Sequence, residues 1–284
     1  MGALTVAVTG SNGKLGRSVV RGLREAGHTV FELDQFGERS PEFLRIDLRD
    51  YGQVADALAG VDDKYAGLDA VVHLGAIPAP GLQADAATFH NNMISTYNVF
   101  QACRRAGIKR VVYASSETVL GLPFDTPPPY IPVDEEYAAR PESTYSLVKH
   151  LEEQLAIELT RWDPTLSITA LRFSNVMDPE DYAQFPSFDA DASARKWNLW
   201  GYIDGRDGAQ AVQRALENAG PGFDRFIIAA ADTVMSRSSA DLAAEVFPGV
   251  GLTREVTEHE TLLSIDKARR VLGYAPRHSW RDHV

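Results

Sequence analysis

The sequence predicts an α/β fold, a parallel sheet covered by helices on both faces. Three observations carry this. An apolar run at 4–9 leads directly into a glycine-rich turn and then an amphipathic stretch, the strand–turn–helix order of a crossover unit. Near-continuous apolar runs then alternate with helical patterns through the first two thirds of the 284 residues, as strands buried on both faces do. Glycine, serine and asparagine cluster at the carboxyl ends of those runs, where sheets of this kind hold ligands. The expectation is a Rossmann-type doubly wound parallel sheet.

The elements follow in order. The first strand, 4–9, precedes the turn 10–16 and a helix. The second strand lies at 30–33 within 28–34 and ends in an acid, and a short third occupies 43–46. Residues 51–58 read as helix, 70–74 as strand, 87–107 as a long helix and 110–116 as strand. The proline-rich stretch 122–140 reads as a loop over the site. A long helix at 143–162 and a strand at 167–173 complete the pattern. Residues 179–196 are polar and aromatic without period, a candidate lid or substrate loop. Beyond them come a helix at 207–219, a strand at 226–229 and a helix at 239–246. The expected division is a larger part, 1–175, that holds the motifs considered below, and a smaller region, 176–284, interleaved with it.

Composition excludes several functions. A net charge of −11 argues against nucleic acid or an anionic membrane as a main partner. The single cysteine, Cys103, rules out a disulfide within the chain and suits a reducing, cytoplasmic setting. The first strand begins too early to leave room for a signal peptide, and no apolar run approaches the roughly 18 residues of a membrane helix. Seven scattered histidines show no metal-ligand spacing, so no metal is expected.

The turn Gly10-Ser11-Asn12-Gly13-Lys14-Leu15-Gly16 points to a pyrophosphate, because backbone can approach it closely and its charge sits at a helix N-terminus. Asp34 lies 18 residues beyond Gly16, near the spacing of a ribose-binding carboxylate. A carboxylate there accepts from the ribose diol and repels a 2′-phosphate, which favours NAD over NADP. Tyr145 and Lys149 stand four apart on one helical face. An ammonium beside a phenol, with a nicotinamide cation nearby, favours the phenolate and lowers its pKa, so Tyr145 is expected to act as an acid/base near neutral pH. The preceding strand ends in Ser115-Ser116, where a hydroxyl can hold a substrate oxygen.

With these features in this order, the chain resembles the extended short-chain dehydrogenase/reductases, the NAD-dependent epimerase/dehydratase family, and is closest in feel to its compact uronate-dehydrogenase-like members. Gly10, Gly13 and Gly16 match its Gly-x-x-Gly-x-x-Gly turn. Asp47-Leu48 matches an adenine-side Asp-Leu pair, and His73-Leu74-Gly75-Ala76 resembles its His-Leu-Ala-Ala strand end. Asn92 to Val99 resembles Asn-x-x-Gly-Thr-x-Asn-Val with Ser95 in place of glycine. Residues 113–121 resemble Ser-Ser-x-x-Val-Tyr-Gly, and 171–176 resemble Leu-Arg-x-x-Asn-Val. Residues 263–276 resemble its terminal Lys-Ala-x-x-x-Leu-Gly-Tyr-x-Pro.

The resemblance implies Ser116, Tyr145, Lys149 and Asn92 as catalytic, with Asn92 positioning backbone and a relay water. It implies Leu74, Gly75, Ala76, Ala114, Phe173, Asn175 and Val176 as further cofactor contacts. On the substrate side it implies Ile77, Pro78, Ser115, Glu117 and Ser174. Arg195 and Arg206 are candidates for a carboxylate-binding arginine, and Trp197, Trp200 and Tyr202 for stacking on a sugar. Ser116-Glu117-Thr118 lacks the Thr-Asp-Glu acids of family dehydratases, which disfavours water elimination. The expected activity is NAD-dependent hydride transfer at a sugar or sugar-acid hydroxyl. An NAD-retaining epimerase is the alternative, and a non-catalytic NAD sensor a third reading. A homodimer through the long helices is the expected assembly.

Overall fold

Thr5–Thr9 form β1, where Val6 and Val8 point to one side of a sheet and Ala7 to the other, all three fully buried. The remaining strands are β2 (Thr29–Asp34), β3 (Phe43–Arg45), β4 (Ala70–His73), β5 (Arg110–Ser116), β6 (Ser167–Phe173), β7 (Val176–Met177), β8 (Ile203–Asp204) and β9 (Gly222–Ile228). The helices are α1 (Lys14–Glu25), α2 (Tyr51–Ala59), α3 (Asp85–Ala106), α4 (Thr144–Trp162), α5 (Gly205–Asn218), α6 (Ser239–Val246) and α7 (Asp266–Leu272). The computed structural model describes residues 2–60, 65 and 67–283.

Seven strands pair in the order β3-β2-β1-β4-β5-β6-β9, all parallel. Val6, Val8 and Val72 pack on one face with Val19 and Leu23 of α1 and Val212 of α5. Ala7 and Val71 pack on the other with Val54 of α2, Val99, Phe100 and Cys103 of α3 and Leu159 of α4. This two-sided burial explains why the strands read as continuous apolar runs. The order reverses between β1 and β4, and the carboxyl ends of these two strands open the crevice expected at such a switch.

Most boundaries lie within two residues of the sequence reading. Ser143 is the N-cap of α4 rather than its first residue, in a reciprocal pair with Ser146. The last strand of the sheet starts at Gly222 instead of 226, because the half-buried residues Gly222–Arg225 pair with β6 despite their polarity.

The region after Asn175 returns to the main sheet, contributing β9 to its edge and α5 against α1. Strands β7 and β8 form a separate two-stranded parallel sheet. The aperiodic stretch expected as a lid folds into 3₁₀ helices, Pro179–Ala190 and Ala192–Asn198. Phe185 packs there with ring centroids 5.4 Å from Tyr182, 5.3 Å from Tyr202 and 5.6 Å from Trp280. Trp200 and Tyr202 are fully buried core residues, so neither is available to stack on a sugar. Short helices lack a clear period, which is why α7 and this segment were not visible as elements.

Candidate active site

The crevice between β1 and β4 continues along the sheet edge as a cleft of about 1150 Å³. At its floor Gly10 adopts φ +67°, and a Cβ there would stand 2.6 Å from the Gly75 nitrogen. A Cβ on Gly16 would lie 2.1 Å from the Gly10 carbonyl oxygen. These two close approaches are what glycine permits and what bring the turn against the β4 end. α1 starts at Lys14 with Gly13 as its N-cap, no capping side chain and no acid in its first turn. Its first-turn amides therefore present positive charge to the cleft, which fits a pyrophosphate.

Asp34 lines the cleft at the end of β2, its Oδ2 accepting from the Asn12 amide at 2.9 Å and its Oδ1 from Phe36 at 3.3 Å. Leu48, Leu74, Gly75, Ala76, Phe173, Asn175 and Val176 line the same cleft. Asp47 does not. It turns to Arg49, which donates at 2.6 Å and holds its carboxyl below the usual carboxylate range. Lys14 lines the cleft while paired with Asp181 at 2.6 Å. This uncapped helix end and the Asp34 carboxylate are the features that fit a dinucleotide.

At the other end, α4 sets Tyr145 and Lys149 against the end of β5, the Lys149 Nζ 5.9 Å from the tyrosine ring centre. Both are buried. Burial raises the Tyr145 phenol above its ordinary value, outweighing the pull of Lys149 and of a hydrogen bond to Ser116. The pull of Lys149 acts in the expected direction. Desolvation of the phenolate is the larger effect, and Lys149 is itself paired with Glu152 at 2.9 Å.

Ser116 also caps the 3₁₀ turn Glu117–Leu120, accepting from the Thr118 amide at 3.2 Å. Ser115 donates to Glu153 Oε1 at 2.7 Å. Asn92 is fully buried and grips Ile77, accepting its amide at 2.8 Å and donating to its carbonyl at 3.0 Å. It stands behind the cleft wall, where the polar residues Asn91 and Ser95 line the cleft. Ser95 stands at the glycine position of the Asn-x-x-Gly-Thr-x-Asn-Val run, whereas Asn91 had no motif to single it out beforehand.

Ile77, Pro78, Glu117 and Ser174, expected on the substrate side, line the same cleft. Burial pushes the Glu117 carboxyl up to about 7, against the pull of Ser174, Asn198 and Arg195. Asn198 donates to its Oε1 at 3.2 Å, while Glu117 Oε2 and Ser174 Oγ lack a well-formed partner. Arg195 lies behind this wall, between the rings of Phe188 at 5.1 Å and Trp197 at 4.9 Å, and donates to the Gly201 carbonyl at 3.2 Å. Of these three only Trp197 reaches the cleft. Arg206 is tied to Asp204, donating at 2.8 Å, and is not part of the site. Among the described residues no cluster of His, Cys, Asp or Glu is placed to hold a metal, and no helix is long and apolar enough to cross a membrane.

The model of the NAD dependent epimerase/dehydratase family matches residues 6–229. UDP-glucose 4-epimerase of Rhizobium leguminosarum bv. trifolii is 26% identical over 98% of this chain and 94% of its own length. The 2-alkyl-3-oxoalkanoate reductase of Stenotrophomonas maltophilia (strain K279a) is 31% identical over 77% of this chain and 67% of its own. The chain spans about half the length of several other relatives, matching 45% of UDP-glucose 4-epimerase 2 of Oryza sativa subsp. japonica. A short-chain dehydrogenase/reductase superfamily protein from Agrobacterium tumefaciens, solved with bound NAD, superposes at TM-score 0.72 with 23% identity, covering 98% of this chain and 94% of that one. A mutated uronate dehydrogenase gives 0.68 and 22% over 99% and 86%. At those identities the two structures show the shared fold. The chain belongs to the NAD-dependent epimerase/dehydratase family.

Proposed function

We propose that this chain is an NAD-dependent oxidoreductase acting on a secondary hydroxyl of a small, free sugar-like substrate. The observation that carries the reading is the convergence of Ser116, Tyr145 and Lys149 at the cleft end opposite Asp34. When bound, NAD supplies the hydride acceptor. Gly10, Gly13 and the amides of the first turn of α1 would hold its pyrophosphate, Asp34 its adenosine ribose, and Lys149 its nicotinamide ribose. Tyr145 takes the hydroxyl proton from the substrate and Ser116 orients the oxygen. Asn92 acts through Ile77, fixing the wall the substrate meets.

The charge of the cleft supports a substrate without phosphates. Its lining cations are Lys14 and Lys149, each already paired with an acid. A nucleotide diphosphate usually calls for arginine forks or free cations. Glu117 and Ser174 place polar groups in the cleft wall that suit the hydroxyls of a sugar or sugar acid.

An NAD-retaining epimerase would use the same residues, and the similarity to UDP-glucose 4-epimerases favours it as the second reading. The deciding experiment incubates the purified chain with NAD and a panel of free aldoses, uronates and simple alcohols, following NADH absorbance. It then titrates the NAD-loaded chain with UDP, GDP and dTDP. Net NADH with a free sugar supports the first reading. Micromolar binding of a nucleoside diphosphate at the substrate site overturns it in favour of the second. Ile94 and Tyr97 of α3 and Leu147 of α4 are exposed apolar residues and support assembly as a homodimer through these helices, which light scattering tests.

A further inference from the structure

Ser115 and Ser116 stand side by side at the end of β5, and the structure commits their hydroxyls in opposite ways. Ser115 spends its one proton, donating to Glu153 Oε1 at 2.7 Å. Ser116 is used as an acceptor. Its Oγ takes the Thr118 amide at 3.2 Å and the Thr118 hydroxyl at 3.0 Å. A hydroxyl oxygen has two lone pairs and one proton. Two donors from one residue therefore fill the acceptor side of Ser116 and leave its proton to be placed.

The local fold holds this arrangement. Ser116 is the last residue of β5 and the N-cap of the 3₁₀ turn Glu117–Leu120, with extended backbone at φ −148° and ψ 147°. Val119 and Leu120, both fully buried, pin the turn from behind, and Gly121 closes it at φ +92°. The turn thus fixes the Thr118 amide, and the β-branched side chain has few rotamers in which to place its hydroxyl. Thr118 lines the cleft together with Ser116 and Tyr145. An amide cap alone would leave Ser116 one lone pair, free to accept the hydroxyl of Tyr145 or of a substrate. The Thr118 hydroxyl takes that freedom away.

We propose that Thr118 is a positioning residue that fixes Ser116 as a donor, so that the Ser116 proton points to Tyr145 or to the substrate oxygen. The inference rests on Ser116 holding that oxygen and Tyr145 being the acid/base. A substrate alcohol then has one arrangement open to it. Its oxygen accepts from Ser116, and its own proton is directed to Tyr145. A Ser116 able to accept would compete for that proton. The balance at the phenol has the same sense. Burial raises Tyr145, Lys149 and then a hydrogen bond from Ser116 pull it down, and Glu152 and Glu117 raise it by less. A serine that donates favours the phenolate, whereas one that accepts favours the neutral phenol.

Neutron diffraction from deuterium-exchanged crystals of the cofactor-free chain tests the polarity directly and needs no substrate. The Thr118 hydroxyl deuteron should lie on the line to Ser116 Oγ, and that of Ser116 should point toward Tyr145 or the cleft. A Ser116 deuteron directed at Thr118 Oγ1 overturns the proposal.

A kinetic test, on whichever free sugar yields NADH, pairs Thr118→Val, which keeps the amide and the shape, with Thr118→Ser, which keeps the hydroxyl. Thr118→Val should lower kcat/KM about tenfold, the scale of one hydrogen bond. The acid limb of its pH profile should move up by about 0.5 unit, with NADH affinity and urea midpoint close to wild type. Thr118→Ser should restore most of both losses. In a Ser116→Ala background, Thr118→Val should cost less than about twofold, because its effect passes through Ser116. The same tenfold loss in that background overturns the proposal, as does a Thr118→Ser as impaired as Thr118→Val. If Thr118→Val does not fold, the neutron result on the wild type still decides. Failure of the underlying reading appears separately, as near-normal turnover in Ser116→Ala.

Discussion

Arg172 of β6 meets Glu153 of α4 fork to fork, its Nε 2.8 Å from Oε1 and its Nη2 2.7 Å from Oε2, with both side chains buried. The pair ties the helix that carries Tyr145 and Lys149 to the strand that ends in Phe173. It also leaves Glu153 accepting from Ser115, next to the proposed catalytic serine.

Breaking that pair should be costly. Burial works against the Glu153 carboxylate, but Arg172 and Ser115 hold it below its ordinary value. Glu153→Gln leaves a buried guanidinium unneutralised and is expected to lose about 3–5 kcal/mol in urea unfolding. Because the folded-state value is depressed, this stability is present above the unfolded value of 4.5 and is lost as pH falls through the folded one. A variant as stable as the wild type at pH 7 would contradict it.

Glu117 has the opposite sign. Its folded-state value, raised from 4.5 to about 7, gives stability that is full below 4.5 and lost as pH rises through 7. The whole swing is about 3 kcal/mol. The stability difference between wild type and Glu117→Gln should therefore change between pH 4.5 and 8, with the wild type losing ground at higher pH. Parallel urea midpoints across that range would show that Glu117 titrates normally.

Asp34 should set the choice of dinucleotide. Wild type is expected to bind NADH more tightly than NADPH. Asp34→Ala, which removes a charged acceptor worth about 1.5–3 kcal/mol, should weaken NADH at least about tenfold and narrow the gap. Fluorescence titration measures both, and equal wild-type affinities would sink the assignment.

Tyr145→Phe removes one hydroxyl from a packed ring, so folding and NADH binding should persist. Turnover should drop by at least the roughly 10²-fold typical of a lost acid/base group. Steady-state rates on whichever free sugar the panel identifies, with NADH affinity measured alongside, separate loss of chemistry from loss of cofactor.

Local sequence determined the parallel sheet, the glycine turn, the acid at the end of β2 and the Tyr145-Lys149 face. Each follows from short-range rules, an apolar strand, a turn that needs glycine, or a side-chain spacing of four. Residues whose role depends on what crosses from another element were not legible in this way. Asp47 matches a motif yet turns to Arg49, Asn92 acts by gripping Ile77, and Arg195 lies between two rings behind the wall. Only tertiary structure decided that the 179–198 segment is built on an aromatic core and that Glu152 faces Lys149. Burial was also beyond the sequence, and burial sets the protonation of Tyr145 and Glu117. Desolvation depends on every neighbour at once, and no spacing along one chain records it.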